Sequence, residues 1–467
     1  MMRTLASATV LLALAGCASF SKDGGFDQVN ALTKERTGQS TVWQRSAADS
    51  DMAEERVSEL LAKPLTADSA VAIALLNNRS LQATFSDLGI AEADLVSAGR
   101  LPNPTFAFGH INGGGILEID RAVLFNVIGL LTMPLGLQVE RQRFETAQYQ
   151  AAYDAVGVAA DTRRAFFSAV AAQDLVNYYR QVKEAADASN ELARRMVQAG
   201  NFNQLAQMRE QAFYSDATSQ LARAQHQALA ERERLTRLLG LSPEQMNFTL
   251  PERLPDLPEQ PAEPRDAEQI AIDKRLDVWM AKRSTESVAK SLGLTRVTRF
   301  VNVLNAGFAN KSQTGEASRN GYQIQLELPL FDFGSARVAR AEAIYMQAVN
   351  RTASVATNAR SEVRESYSAY RTSYDLAKHY RDEVVPLKKR ISETNLLRYN
   401  GMLISVFELL ADSRDQVTSV TAYVEALRDY WIAETNLQTA MTGRSPGPSA
   451  MSLSIGGAAA LSRSTQP

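Results

Sequence analysis

Residues 322–330 alternate strictly: Tyr322, Ile324, Leu326, Leu328 and Leu330 fall on one face, and Gln323, Gln325 and Glu327 on the other. A period of two predicts a strand with one apolar face. Past Phe333 and Gly334 the pattern becomes alanine-rich, charged and helical, and holds to residue 399. The same succession occurs earlier. Met133-Pro134-Leu135 opens one long helical run and Leu328-Pro329-Leu330 the other. The first run reaches a glycine turn at Ala199-Gly200-Asn201, the second at Asn400-Gly401. Each continues as another helix, stopped by Gly240 and Pro243 in one case and by Gly443 and Pro446 in the other. The chain reads as one large internal duplication.

Each copy predicts helix, strand, strand, long helix, turn, helix. The short helices are expected at 66–100 and 266–294, and the strands at 102–110, 123–133, 299–308 and 322–330. The long helices are expected at 136–198 and 335–399, and the closing helices at 204–239 and 404–442. This divides the chain into a signal peptide at 1–16 and an N-terminal tether and equatorial segment at 17–65. A first repeat at 66–242, a linker at 243–265, a second repeat at 266–443 and a flexible tail at 444–467 follow. The prolines of the linker forbid a continuous helix and favour an extended tether.

Helix rise turns these spans into distances. At ~1.5 Å per residue the long helices reach ~95 and ~98 Å, and the two shorter helices of each copy add up to ~105 and ~100 Å. Two short helices end to end match one long one, which predicts side-by-side columns. Pro386 lies within the second long run and is expected to kink or break it. A membrane strand needs about 9–11 residues with one apolar face. Residues 322–330 fit, and 102–110 put Phe106 and Phe108 together on one face. The stretch 123–133 is apolar on both faces, which a water-lined barrel does not predict. An ordinary soluble sheet remains the alternative for the strands. Four strands cannot close a membrane barrel, so spanning the bilayer requires several chains.

The N-terminus changes the picture. Arg3 precedes a short apolar run, Leu5 to Leu14, too short to span a bilayer. The run ends Leu14-Ala15-Gly16-Cys17, the lipobox pattern of a bacterial lipoprotein signal peptide, with Cys17 as the lipid attachment site. Cys17 is the single cysteine of the chain, so it has no disulfide partner; a buried free thiol is the alternative. Ala18 follows it instead of an aspartate, which does not signal retention in the inner membrane. With 50 Lys and Arg against 52 Asp and Glu, nothing marks a nucleic-acid binder. The three histidines, His110, His226 and His379, are scattered, and no phosphate loop, nucleophile motif or metal-ligand spacing is present, which argues against an enzyme. Gly113-Gly114-Gly115 reads as a hairpin loop.

The duplicated unit, Pro329-Leu330-Phe331 at a strand-to-helix junction, the strand entry Leu101-Pro102-Asn103-Pro104 and the lipobox together resemble the TolC-type outer-membrane efflux channels over about 66–443. They are similar above all to the lipoprotein branch serving resistance-nodulation-division exporters. The fold class so implied is mainly α with a small β part. Long antiparallel helical hairpins would form a periplasmic α-barrel, and four strands per chain would contribute to a trimeric twelve-stranded outer-membrane β-barrel. The resemblance implies a homotrimer in the bacterial outer membrane, lipid-anchored and extending into the periplasm. A periplasmic adaptor and an inner-membrane pump would be its partners, with no nucleic acid and no cofactor beyond a covalent lipid (palmitate class) on Cys17. The implied function is a passive exit duct for drugs, metal ions or other small solutes, with no enzymatic step.

The resemblance places the periplasmic tip at Gly200 and Gly401, with Ser405 and the helix starts at 204–208 and 405–410 as adaptor contacts. Family members carry Tyr-x-x-Gly and then Leu-Asp-Val-Leu-Asp-Ala there. This chain has Tyr399-Asn400-Gly401 there, one residue shorter than that spacing; Glu408 falls on the first acidic position, and Ala411 replaces the second, with Asp412 one residue on and about 100° around the helix. Tyr399, Glu408 and Asp412 are therefore the expected gate, and Ile404 stands where some members place a locking arginine. The other reading is a lipid-anchored periplasmic adaptor or scaffold with long helical hairpins.

Overall fold

The computed structural model describes residues 19–298, 303–327, 331, 333–401, 403–404 and 406–447, of which 406–413 are described for the backbone alone. The chain packs as two compact units. The first comprises the N-terminal residues up to Leu32, Gln82–Asp154 and Leu276–Thr357; the second comprises Thr33–Leu81, Ala155–Arg275 and the chain from Asn358 onward. Each unit therefore draws on both copies of the repeat.

Two helices, α1 (Phe26–Thr37) and α2 (Ala47–Leu61), precede the first copy. Ser46 and Asp49 close a capping box at the start of α2, and Thr66 and Ser69 do so at the start of α3 (Ala67–Asn77). The single helix expected at 66–100 is two, α3 and α4 (Arg79–Ala98), broken at Asn78 with ψ 114°. The Asn78 side chain accepts from the Leu81 amide at 3.0 Å, which makes it the cap of α4. The second copy repeats the break. The helix expected at 266–294 is α7 (Ala267–Lys274) and α8 (Leu276–Val297), separated by Arg275 with ψ 132°.

The strands are β1 (Thr105–Gly113), β2 (Ile116–Asn126), β3 (Leu304–Gln313) and β4 (Arg319–Leu326), in one antiparallel sheet of order β1-β2-β3-β4. β1 and β2 are displaced from their expected ends toward their hairpin turn, and β3 and β4 reach further toward theirs than expected; the parts expected at 299–302 and 328–330 lie outside the described residues. The largest correction is β2, expected at 123–133. Residues 127–133 are helical, because the Asn126 side chain accepts from the Gly129 amide at 2.7 Å and starts α5 (Val127–Gln198) there. Pro134 lies inside that helix near its start. Gly114 and Gly115 have φ of 61° and 83° and join β1 to β2 as a two-residue turn. Positive φ at both central residues is the primed geometry that suits the twist of a hairpin.

After the Gly200 turn comes α6 (Gln204–Leu239). In the second copy α9 (Ser335–His379) is followed by a π-helical turn, Tyr380–Val384, then α10 (Val385–Asn400) and α11 (Val406–Thr442). The α-helical ladder thus breaks immediately before Pro386, whose ring lacks an N–H and clashes with the preceding turn.

In the first unit Phe26 meets Phe85 edge-on at 4.8 Å, and Tyr149 packs on Trp279 at 5.6 Å. The core of the second unit takes Ile73 and Ala74 from α3, Phe166, Phe167 and Val170 from α5, and Leu235 and Leu239 from α6. Tyr370 and Tyr374 of α9 and Tyr430 and Leu437 of α11 complete it. The linker is extended, as its prolines require, and it is also docked. Phe248, Leu254 and Leu257 enter the same core. Tyr370 Oη accepts from the Ala262 amide at 2.8 Å, Tyr374 Oη donates to the Glu259 carbonyl at 2.6 Å, and Trp431 Nε1 donates to the Pro255 carbonyl at 3.0 Å. These bonds satisfy a backbone that has no ladder of its own.

Candidate functional site

Residues paired across antiparallel strands share a face of the sheet, and the faces alternate along each strand. One row therefore runs Phe106, Val123, Phe308, Tyr322 across all four strands. The next row away from the hairpin turns holds Phe125, Ala306 and Ile324, and the next toward them Phe108, Arg121, Asn310 and Asn320. The opposite face carries Leu124, Gly307 and Gln323, then Ala107, Ala122, Ala309 and Gly321, then Gly109, Asp120, Lys311 and Arg319. Lys311 pairs there with Glu118 and Asp120. One face is thus aromatic and the other small, polar and charged. The apolar face is open in the single chain: Phe308 is 78% exposed and Tyr322 83%. Both edges, β1 and β4, lack a partner strand among the described residues.

The other candidate feature is the pair of helix turns, both in the second unit. Gly200 has φ 74°; its amide donates to the Val197 carbonyl at 3.0 Å and the Asn201 amide to Met196 at 2.9 Å. Asn203 then caps α6 through the Ala206 amide at 2.7 Å. Gly401 differs, with φ −82° and ψ 6°; its amide donates to Leu397 at 3.0 Å and the Leu403 amide to Arg398 at 2.8 Å. Tyr399 is half-buried near the end of α10. Glu408 and Asp412 lie on α11, with side chains outside the described residues, and Ser405 and Cys17 also lie outside them.

Residues that the pattern alone did not single out make contacts within and between the two hairpins near these turns. Arg414 of α11 stands over the ring of Phe213 in α6, 4.7 Å from its centre, and Lys388 reaches Asp415 at 2.7 Å. Glu210 is buried, 2% exposed, and accepts from Ser189 Oγ at 2.8 Å. Its helical spacing from Ala206 and Ala217, both buried, was the available signal. Burial also pushes the Tyr178 hydroxyl up to about 12. Exposed apolar side chains flank the turns: Leu192, Leu205 and Met208 at one, Leu396, Leu397 and Leu403 at the other. Among the described residues no helix is long and apolar enough to cross a membrane, and no cluster of His, Cys, Asp or Glu is placed to hold a metal ion.

The described part of the chain thus combines a two-faced four-stranded sheet with long helices. Residues 272–443 match the family described as outer membrane efflux protein. The fold of the whole chain is similar to that of the outer-membrane channel OprN, at 18% identity and TM-score 0.68 over 91% of this chain and 98% of that one. It is also similar to CusC, at 16% identity and TM-score 0.67 over 84% and 92%. For the Neisseria gonorrhoeae MtrE outer membrane channel in its open state the values are 16% and 0.65 over 83% and 89%. No curated protein matches the chain by sequence. The match to the efflux-protein domain takes in α8, β3, β4, α9, α10 and α11 and ends at Gly443.

Proposed function

We propose that the chain is one subunit of a homotrimeric exit duct in the bacterial outer membrane. The observation that carries this is the sheet: an aromatic face beside a charged one, with both edges open. Backbone edges and apolar faces are costly to leave unpartnered in a membrane, so the edges pair with neighbouring copies and the aromatic face meets lipid. Three chains give about twelve strands, within the range of known membrane barrels. The charged face then lines water, and the paired helices continue the passage into the periplasm.

In this reading the chain is divided into signal peptide, tether, two repeats, linker and tail, and a lipid on Cys17 anchors the subunit. The turns at Gly200 and Gly401 and the neighbouring Ser405 receive a periplasmic adaptor, with the exposed leucines flanking the turns as its apolar contacts. An inner-membrane pump of the resistance-nodulation-division type supplies the energy. Tyr399, Glu408 and Asp412 form the constriction, where threefold symmetry makes Glu408 a ring of three carboxylates that favours cations. The duct passes drugs, metal ions or other small solutes without chemistry.

Purified protein reconstituted in planar bilayers tests the reading. Heat-modifiable trimers with stepwise conductance are expected, larger in Glu408→Ala. A carbonate-extractable protein that conducts in neither form would overturn it and favour the adaptor reading.

A further inference from the structure

The aromatic face of the sheet carries a cation at its upper end. Arg121 lies in the row next to Phe106, Val123, Phe308 and Tyr322, about 7 Å toward the hairpin turns. It is exposed, and it makes no ion pair among the described residues. The nearby acidic strand residues, Glu118 and Asp120, point to the other face, where Lys311 occupies them. Arg121 is nonetheless held in place. Its Nη1 donates to Asn310 Oδ1 at 3.0 Å, and Asn310 Nδ2 donates to Ser318 Oγ at 2.7 Å and Asn320 Oδ1 at 2.8 Å. Arg121, Asn310, Asn320, Val123 and Phe308 line a groove of about 250 Å³ together with Ala122, Ala309 and Gly321.

We infer that this groove binds the phosphorylated headgroup of an outer-leaflet glycolipid, lipopolysaccharide, with its acyl chains lying on the aromatic rows below. The inference rests on the proposed membrane reading, in which the hairpin turns face the exterior. A fixed guanidinium that no carboxylate neutralises, at the border of an apolar band, matches a phosphate set above hydrocarbon. Bare exposure of an arginine to lipid is otherwise unfavourable, and a phosphate removes that cost.

The full-length protein is extracted from the outer membrane in mild detergent, and the lipopolysaccharide retained per trimer is measured by native mass spectrometry after washing. Arg121→Gln is expected to retain about tenfold less than the wild type, the loss of one charge-assisted contact. Arg121→Lys is expected to recover part of it, and Arg319→Gln, on the opposite face, to leave it unchanged. Equal retention by wild type and Arg121→Gln, both as heat-modifiable trimers, would overturn this inference alone. A wild type that forms no membrane-inserted trimer would overturn the underlying reading and this inference with it. A preference for phosphatidylglycerol equal to that for lipopolysaccharide in lipid nanodiscs would overturn the glycolipid assignment.

Discussion

Asn78 and Arg275 occupy the same place in the two copies: each is the lone non-helical residue between two helices, and each aims its side chain at the last carbonyls of its copy's closing helix. Asn78 Nδ2 donates to the Leu238 carbonyl at 2.8 Å, and Arg275 Nη1 to the Ala440 carbonyl at 3.4 Å. The last carbonyls of a helix have no partner within it, so a buried helix end requires such donors. The first copy adds Asn77 Nδ2 on the Gly240 carbonyl at 2.7 Å; the second relies on Arg36 Nε on the Thr442 carbonyl at 2.9 Å. The solutions differ in charge. Arg275 is 1% exposed and pairs with Glu362 at 2.8 Å, while Asn78 is neutral.

Substitution should therefore have unequal effects at the two positions. Asn78→Ala removes a cap and one donor, a loss of about 1–2 kcal/mol. Arg275→Ala takes the buried cation from the half-buried Glu362 carboxylate, which keeps only the Ser445 hydroxyl among the described residues, a loss of up to about 3–5 kcal/mol. Adding Glu362→Gln to Arg275→Ala should recover part of that loss. Thermal unfolding of the detergent-solubilised protein, followed by helical circular dichroism, gives the order; equal losses at the two sites would contradict it.

Gly307 is the tightest point of the sheet. A Cβ there would run into the Val123 carbonyl oxygen and lie 2.8 Å from Leu124 Cα, both backbone atoms of β2 that cannot swing aside. Gly307→Ala should force β3 away from β2 at about 1–3 kcal/mol. Gly321, where nothing lies within 4 Å, should accept alanine freely. Heat-modifiability on gels separates the two variants: Gly307→Ala should lose its folded band at a lower temperature than Gly321→Ala.

The two hairpin turns make a similar contrast. Gly200 sits at φ 74°, where a side chain costs about 1 kcal/mol, whereas Gly401 sits at φ −82°, which any residue adopts. Gly200→Ala should speed hydrogen exchange of the amides at 197–203, and Gly401→Ala should leave those at 397–403 within error. The reverse order would mean that packing against a neighbour, and not backbone conformation, sets these turns.

The strand ends explain what could be read from sequence. Alternation revealed β4, since Tyr322, Ile324 and Leu326 share a face with Phe308 and Leu304. It failed for β2, whose half toward the turn carries Glu118, Asp120 and Arg121, charges that look like a loop until Lys311 and Asn310 are seen opposite them. The apolar run at 127–133 imitated a buried strand, because short apolar runs carry no period that distinguishes strand from helix. The long helices were legible from their period and their glycine stops, and the π-helical turn from Pro386. The breaks at Asn78 and Arg275 were hidden: neither Gly nor Pro marks them, and their cause is the end of a helix 160 or more residues away. Of the candidate gate, only the turn residues and Tyr399 lie among described side chains, so its chemistry rests on Glu408 and Asp412 in the proposed trimer.

Glu434 supplies a pH dependence. It lines a cavity of about 480 Å³ with Phe166, Phe167, Trp431 and Arg163, and burial pushes its carboxyl above the ordinary range while Arg163 pulls it partly back. An acid raised in the folded state binds its proton more tightly there than when unfolded. Its contribution to stability is therefore fully present below the unfolded value of about 4.5, and is lost as pH rises from there through the higher folded one. At pH 7.5 the ionised form carries a desolvation cost that Arg163 does not fully offset. Glu434→Gln removes that cost, keeps the shape, and should raise the unfolding temperature at pH 7.5. The gain should shrink as the buffer is taken toward pH 4.5, where the wild-type carboxyl is protonated as well. Melting curves of the two proteins at pH 4.5, 6 and 7.5 test this; a difference that stays constant, or one that widens in acid, would show that Arg163 outweighs burial at this site.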